Sequence, residues 1–334
     1  MYLEDHYLRL CNKYMHARDF ASAKSLLFVW MQDFFASCDS VTALPPPPEA
    51  LRNPSLWWCL SRYASLSGDS APVNAFLDWL ESVPIPPPVS SPLTAWPVIG
   101  IPILNRPDLL KRLLQSFDIP VDHLAIVDNG SKAGLSDSGQ LSSYLMELES
   151  SGWPGVENIC VARPFANLGV AASWNHILTS FVHSPVVLLV NNDVTFAPGV
   201  LAEALAAIDP RRPQFMPLLP APQEFSAFAL TALTWDRVGL FDENFYPAYC
   251  EDLDYAERLK ACPEVEWLIQ PDLQQRMQAL NQEQSATIRS DAVLETYNRS
   301  SYPLNCLWFF GDRRRRGERR GIWRRRWLAQ WSSD

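Results

Sequence analysis

The chain has 334 residues, 48% hydrophobic and 19% charged, which allows a sizeable core and excludes wholesale disorder. Its formal net charge of −9 argues against a general nucleic-acid binder, and the charge is unevenly spread: residues 312–334 hold nine Arg against Asp312, Glu318 and Asp334, a local net of +6 that leaves −15 on the rest. Seven Cys, none spaced C-x-x-C, point to reduced thiols rather than a zinc site or a disulfide framework. The N-terminal MYLEDHYLRL lacks the basic flank and apolar stretch of a signal peptide, and the longest apolar run, VVLLV at 186–190, is too short to cross a bilayer. These features predict a soluble, cytoplasmic protein.

Residues 1–90 read as a small all-α domain with proline-rich linkers. Leu3, Tyr7, Leu10 and Tyr14 share one helical face, as do Phe20, Ala23, Leu27, Trp30 and Phe34, with Asp19 placed to cap the second helix. A second hairpin is predicted over 54–66 and 72–82, with Gly68 at the turn. The helix-pair order resembles tetratricopeptide repeats without carrying their consensus. Pro45 to Pro48, and then Pro84, Pro86, Pro87, Pro88, Pro92 and Pro97, exclude helix and read as linkers.

From residue 91 to 311 short apolar strands alternate with helices. VIGIPIL (98–104), LAIVD (124–128) and VVLLVNND (186–193), the last ending in polar residues, read as strands, while DLLKRLLQSF (108–117) places Leu109, Leu110, Leu113, Leu114 and Phe117 on one helical face. This alternation predicts a largely parallel sheet with helices on its faces, and ligands outside the carboxyl ends of its strands. Those ends deliver Asn105 and Arg106, then Asp128 and Asn129, then Asn191, Asn192 and Asp193. Taken singly, such residues are ordinary turn formers. Further on, Glu251, Asp252 and Asp254 open a predicted helix, where acids complement the helix dipole. The five His (His6, His16, His123, His176 and His183) are scattered and read as structural.

In this order the segments VIGIPILNRPDLL (98–110), LAIVDNGS (124–131), NLGVAASWN (167–175), VVLLVNND (186–193) and ALTWDRVGLFDENFYPAYCEDLDYAERL (232–259) resemble glycosyltransferase family 2 over about residues 96–311. The resemblance implies a GT-A fold, a Rossmann-like α/β domain whose mixed, largely parallel sheet is flanked by helices. It implies inverting, metal-dependent transfer of a hexosyl or deoxyhexosyl group from a nucleotide sugar to a glycan or lipid-linked acceptor. Asp128 would contact the nucleotide base, with Pro102, Asn105, Arg106, Asn129, Asn167, Gly169, Asn175 and Asn192 around the nucleotide sugar. Asn191 and Asp193 stand where the family has its D-x-D motif, so Asp193 would ligate Mn²⁺ or Mg²⁺. Asp252 would be the general base, with Glu251 its competitor.

The chemistry agrees with these roles. A nucleoside diphosphate gains charge as it leaves, and a hard cation held by carboxylate oxygen offsets it. Asn191 keeps an oxygen acceptor but removes one charge, so the diphosphate must supply much of the coordination. A His that many relatives carry before an S-x-T sequence is missing: Asn281, Gln282, Glu283 and Gln284 precede Ser285. Either Glu283 or a Gln stands in, or the metal is held weakly. The alternative reading is a degenerate transferase domain acting as a scaffold. A sugar-phosphate nucleotidyltransferase would need a Gly-rich basic loop after the first strand, which Ile101 to Arg106 is not. Residues 312–334 interleave Arg with Trp323, Trp327 and Trp331, a composition suited to peripheral contact with an anionic membrane surface.

Overall fold

The structure, a computed structural model, describes residues 2–39, 53–82, 92–135, 137–282 and 292–311. The prolines at 45–48 and 84–88, the SATI segment at 285–288 and the basic tail lie outside the described residues. The chain divides into two compact units, 1–87 and 88–334.

The first unit is helical: α1 (Tyr2–His16), α2 (Phe20–Asp39), α3 (Pro54–Ser67) and α4 (Ala71–Ser82). Asp19 caps α2 as expected, its Oδ1 accepting from the Ser22 N–H at 3.1 Å. Asn53 caps α3 in the same way, accepting from the Leu56 N–H at 3.0 Å, with Pro54 in the first turn, where its missing N–H costs nothing. Gly68, in the left-handed region at φ 73°, ends α3 and makes the turn. Cys11, Leu27, Trp30, Leu56, Cys59 and Tyr63 form the unit's core.

The second unit is the mixed, largely parallel α/β architecture that the sequence pattern predicts. In chain order its elements are β1 (Trp96–Ile103), α5 (Pro107–Gln115), β2 (Val121–Asp128), α6 (Ser138–Ser151), β3 (Val156–Ala162), α7 (Val170–Ser180), β4 (Val186–Val190), α8 (Val200–Ala207), β5 (Gln214–Pro217), β6 (Ala227–Thr231), α9 (Ala232–Val238), α10 (Glu251–Ala261), β7 (Glu266–Trp267), α11 (Pro271–Leu280) and α12 (Ala292–Phe310). The seven strands run in the order β3-β2-β1-β4-β6-β5-β7. β1, β2, β3 and β4 pair in parallel, β6 is antiparallel to β4 and β5, and β7 is parallel to β5. All five residues of β4 are buried, as a central strand covered on both faces requires. Each such side chain contributes about 1.5–3 kcal/mol relative to exposure. One core packs Ile99, Ile101, Leu110, Leu188 and Leu201 on one face of the sheet; the other packs Val98, Trp174, Leu189, Phe228 and Tyr255 on the opposite face.

Two consequences position the site. Strand order reverses at β1, which has β2 on one side and β4 on the other, so a crevice opens beyond the carboxyl ends of these strands. And α12 reaches back to the loop between α9 and α10: Cys306, Trp308 and Phe309 share a cluster with Phe245 and Cys250.

Candidate functional site

At the end of β2, Asp128 is buried, with its side chain 1% exposed. Its Oδ1 accepts from the backbone N–H groups of Gly130 (3.1 Å) and Ser131 (2.8 Å), a local Asx turn. An oxygen of the same carboxylate, Oδ2, lies 4.0 Å from Nε of Arg163, just past β3, whose guanidinium also pairs with Glu149. Arg163 belongs to no motif. The pairing of β3 with β2 brings it to Asp128.

Several asparagines read as nucleotide-sugar contacts also brace the edge. Asn129 Oδ1 accepts from the Leu168 N–H at 2.9 Å, and its Nδ2 donates to Ser173 Oγ at 2.9 Å. Asn167 Oδ1 accepts from the Gly169 N–H at 2.8 Å. Asn175 locks α7 to the loop after α9: its Oδ1 accepts from the Phe241 N–H (2.9 Å), and its Nδ2 donates to Phe241 O (2.9 Å) and Glu243 Oε1 (3.1 Å). Asn192 Nδ2 donates to the Asn105 carbonyl at 3.0 Å, tying the end of β4 to the end of β1. Arg106 takes a left-handed backbone at φ 59°, with its N–H on Asp137 Oδ2 at 2.7 Å and its guanidinium forked onto Asp108. Pro102, the penultimate residue of β1, is half-buried opposite Val127.

Asn191 and Asp193 follow β4 directly, and both are half-exposed at the crevice edge. The Asn191 N–H is held by Ser226 O at 2.8 Å, and the Asp193 carbonyl accepts from Arg112 Nη2 at 3.3 Å. Asn281, at the end of α11, grips the next turn from both sides, accepting from the Thr195 N–H (2.8 Å) and donating to the Thr195 carbonyl (2.9 Å). Among the described residues no group of three or more His, Cys, Asp and Glu could hold a metal. One carboxylate and one amide oxygen fit a hard cation that arrives with a diphosphate and keeps several water ligands, as Mg²⁺ commonly does, rather than one caged by protein alone.

The acid pair opens α10. Gly169, at φ 80°, leaves no room for a side chain: a Cβ there would lie 2.7 Å from the Pro247 carbonyl. The next N–H, of Val170, donates to that carbonyl at 2.7 Å. The start of α7 therefore touches the loop that ends in Tyr249 and Cys250, both at positive φ (77° and 71°), and that loop runs straight into Glu251 and Asp252. A left-handed backbone is uncommon for non-glycine residues, and two in succession need support from their surroundings.

The three acids in the first turn of α10 have different fates. Asp254 is neutralised by Arg258, one turn on, at 2.8 Å. Glu251 is 5% exposed, and among the described residues its Oε2 has no hydrogen-bond partner. Burial, with the neighbouring Asp252 charge, pushes its carboxyl up to about 8. Asp252 is half-exposed and is also raised by burial, a shift that backbone N–H groups, that of Leu253 first, oppose.

Comparison with known proteins finds distant likenesses. No protein-family model matches the chain, and no curated protein does. Among solved structures it is similar to residues 1–349 of S. aureus TarS (18% identity, TM-score 0.39, covering 52% of this chain and 58% of that one) and to GalNAc-T7 (12%, 0.42, 53% and 43%), both glycosyltransferases. It is also similar to the T. maritima inositol-1-phosphate CTP transferase (12%, TM-score 0.29, 55% and 97%). The chain thus spans about half the length of the two glycosyltransferases. Likeness of this depth leaves the chemistry to the residues themselves.

Proposed function

We propose that this chain is a GT-A-type, nucleotide-sugar-dependent glycosyltransferase that works by inversion. One observation carries the reading: a single domain supplies two carboxylate stations, Asp193 just past β4 and Glu251–Asp252 at the start of α10, and in this reading they flank the crevice where strand order reverses. An inverting transfer needs that arrangement, because the acceptor hydroxyl must attack from the face opposite the departing diphosphate.

Asp128 and Arg163 would receive the base, the carboxylate taking a base N–H and the guanidinium holding the carboxylate in place. Asp193 and Asn191 would hold Mn²⁺ or Mg²⁺ shared with the diphosphate, and the cation would supply Lewis-acid stabilisation of the leaving group. Asp252 would take the proton of the acceptor hydroxyl. Glu251 is poorly suited to that task, since a carboxyl that ionises near 8 still carries its own proton at neutral pH. It would instead donate that proton as a hydrogen bond. A glycan or lipid-linked molecule is the acceptor we propose. Among the described residues no helix is long and apolar enough to cross a membrane.

The test is a thermal-shift screen of nucleotides and nucleotide sugars with and without Mn²⁺, paired with a donor-hydrolysis assay. UDP, UDP-GlcNAc and Mn²⁺, present in structures of TarS or GalNAc-T7, head the screen. The expected result is a rise in Tm that needs nucleotide and metal together, because a ligand that binds only the native state stabilises it. No response to any nucleotide, with no hydrolysis, would leave the scaffold reading in its place.

A further inference from the structure

The loop that delivers the acid pair is held from behind by a residue of α12. Asn305, in α12, is 1% exposed. Its Nδ2 lies within reach of three loop carbonyls: Tyr246 at 3.3 Å, Ala248 at 2.8 Å and Tyr249 at 3.2 Å. An amide nitrogen carries two hydrogens, so at least one of them is shared between two oxygens. The chemistry is selective. A carboxylate would face three carbonyls with acceptors only, and an apolar side chain would leave buried oxygens unsatisfied.

The rest of α12 supports the same grip. Tyr302 packs edge-on against Tyr249 with ring centroids 5.4 Å apart, Trp308 Nε1 donates to Asp242 Oδ2 at 3.3 Å, and Cys306 Sγ lies 3.8 Å from Cys250 Sγ. From the other side the Pro247 carbonyl receives the Val170 N–H. The loop is therefore clamped between α7 and α12 along the stretch that ends in two left-handed residues. Those residues aim the first turn of α10, and with it Glu251 and Asp252.

We propose that Asn305 is the positioning residue for the Glu251–Asp252 pair, acting through the backbone carbonyls of Tyr246, Ala248 and Tyr249. Its catalytic consequence rests on the transferase reading above; its effect on the placement of the pair does not.

The experiment uses the full chain with Asn305→Leu, close in size but without donors, Asn305→Ala, in which water can enter, and Asn305→Gln, which keeps the amide. Leu307→Ala, at an exposed position on α12, is the control. The Glu251 carboxyl is titrated by ¹³C NMR, with its signal assigned by loss in Glu251→Gln. Asn305→Leu and Asn305→Ala should lower its midpoint by about one pH unit or more, because a loosened loop lets water reach the carboxyl. Asn305→Gln should recover most of the parent value, and Leu307→Ala should keep it.

Hydrolysis of UDP-, GDP- and dTDP-sugars is followed on the same proteins. In the leucine and alanine variants kcat should fall by about tenfold or more while KM for the donor moves by less than about twofold. A midpoint unchanged in a folded leucine or alanine variant would overturn the proposal, as would an equal loss in Leu307→Ala. If the leucine variant does not fold, the alanine and glutamine variants decide by the same criteria. If the parent protein processes none of the donors, the transferase reading fails, and the NMR titration still decides whether Asn305 sets the pair.

Discussion

The two carboxylate stations are built differently. At the strand ends, Asp193 and Asp128 follow directly from β4 and β2 and are held by local bonds such as Asn191 N–H to Ser226 O and the Asx turn of Asp128. On the acid-pair side, Glu251 and Asp252 leave a loop with two left-handed residues, gripped by a helix more than fifty positions further along the chain. Strand ends come with a sheet, so they can carry a half-exposed charge ready for a cation. A buried acid has to be held away from water by packing, and that packing shifts its ionisation. One station presents charge; the other conceals a proton.

The sharpest way to break this comparison is at Asp252. Asp252→Asn keeps size and hydrogen bonding but removes the proton acceptor, so turnover should fall by roughly 10² to 10⁴ with donor affinity little changed. Near-native turnover in Asp252→Asn, together with a dead Glu251→Gln, would reverse the roles assigned to the two acids. Steady-state kinetics alongside donor binding decides.

Next in size is the pH dependence of stability. The folded chain keeps the Glu251 proton up to about pH 8, whereas the unfolded chain releases it near 4.5. Protons bound in the native state alone make stability fall as pH rises through that window, with no further loss above it. Glu251→Gln, a neutral mimic of the protonated side chain, should match the parent near pH 4.5 and exceed it by up to several kcal/mol near pH 8, since the gap grows by about 1.36 kcal/mol for each pH unit between the two midpoints. Denaturant unfolding at the two pH values reads the difference, and a gap that does not widen with pH would place Glu251 in contact with water.

The smallest expected effect lies on the nucleotide side. Asp193→Ala should leave the fold intact and abolish the metal-dependent part of stabilisation by a nucleoside diphosphate, about 2.7 kcal/mol when the ligand is present at a hundred times its Kd. Undiminished metal-dependent stabilisation in that variant would remove Asp193 from the cation's coordination.

The same contrast explains what the sequence makes legible. Strands β1, β2 and β4 stand out as apolar runs, although β1 begins two residues before the expected Val98, and Asn191 to Asp193 lie beyond β4 rather than within it. β5 and β7, of four and two residues, are too short for any periodicity to register, so the antiparallel half of the sheet is not readable from pattern alone. In the crevice, motif order singles out Asn129, Asn175 and Asn192, yet nothing in that order tells a ligand from a brace; the hydrogen bonds of their amides are visible only in three dimensions. Arg163, Asn281 and Asn305 carry no local signal, because each acts through partners remote in sequence, as with Asn281 on Thr195, 86 positions away.

One small residue ties the mutational fate of two strands together. A Cβ on Gly130 would lie 1.7 Å from the Leu104 carbonyl oxygen, inside the backbone that leaves β1. No rotamer change relieves a collision with main chain, so any larger residue there must displace the ends of β1 and β2 at once. Asn105 and Asp128 are both within two residues of that contact. Directed evolution for a different nucleotide would therefore find position 130 closed, and would have to vary the site through exposed side chains such as Arg163.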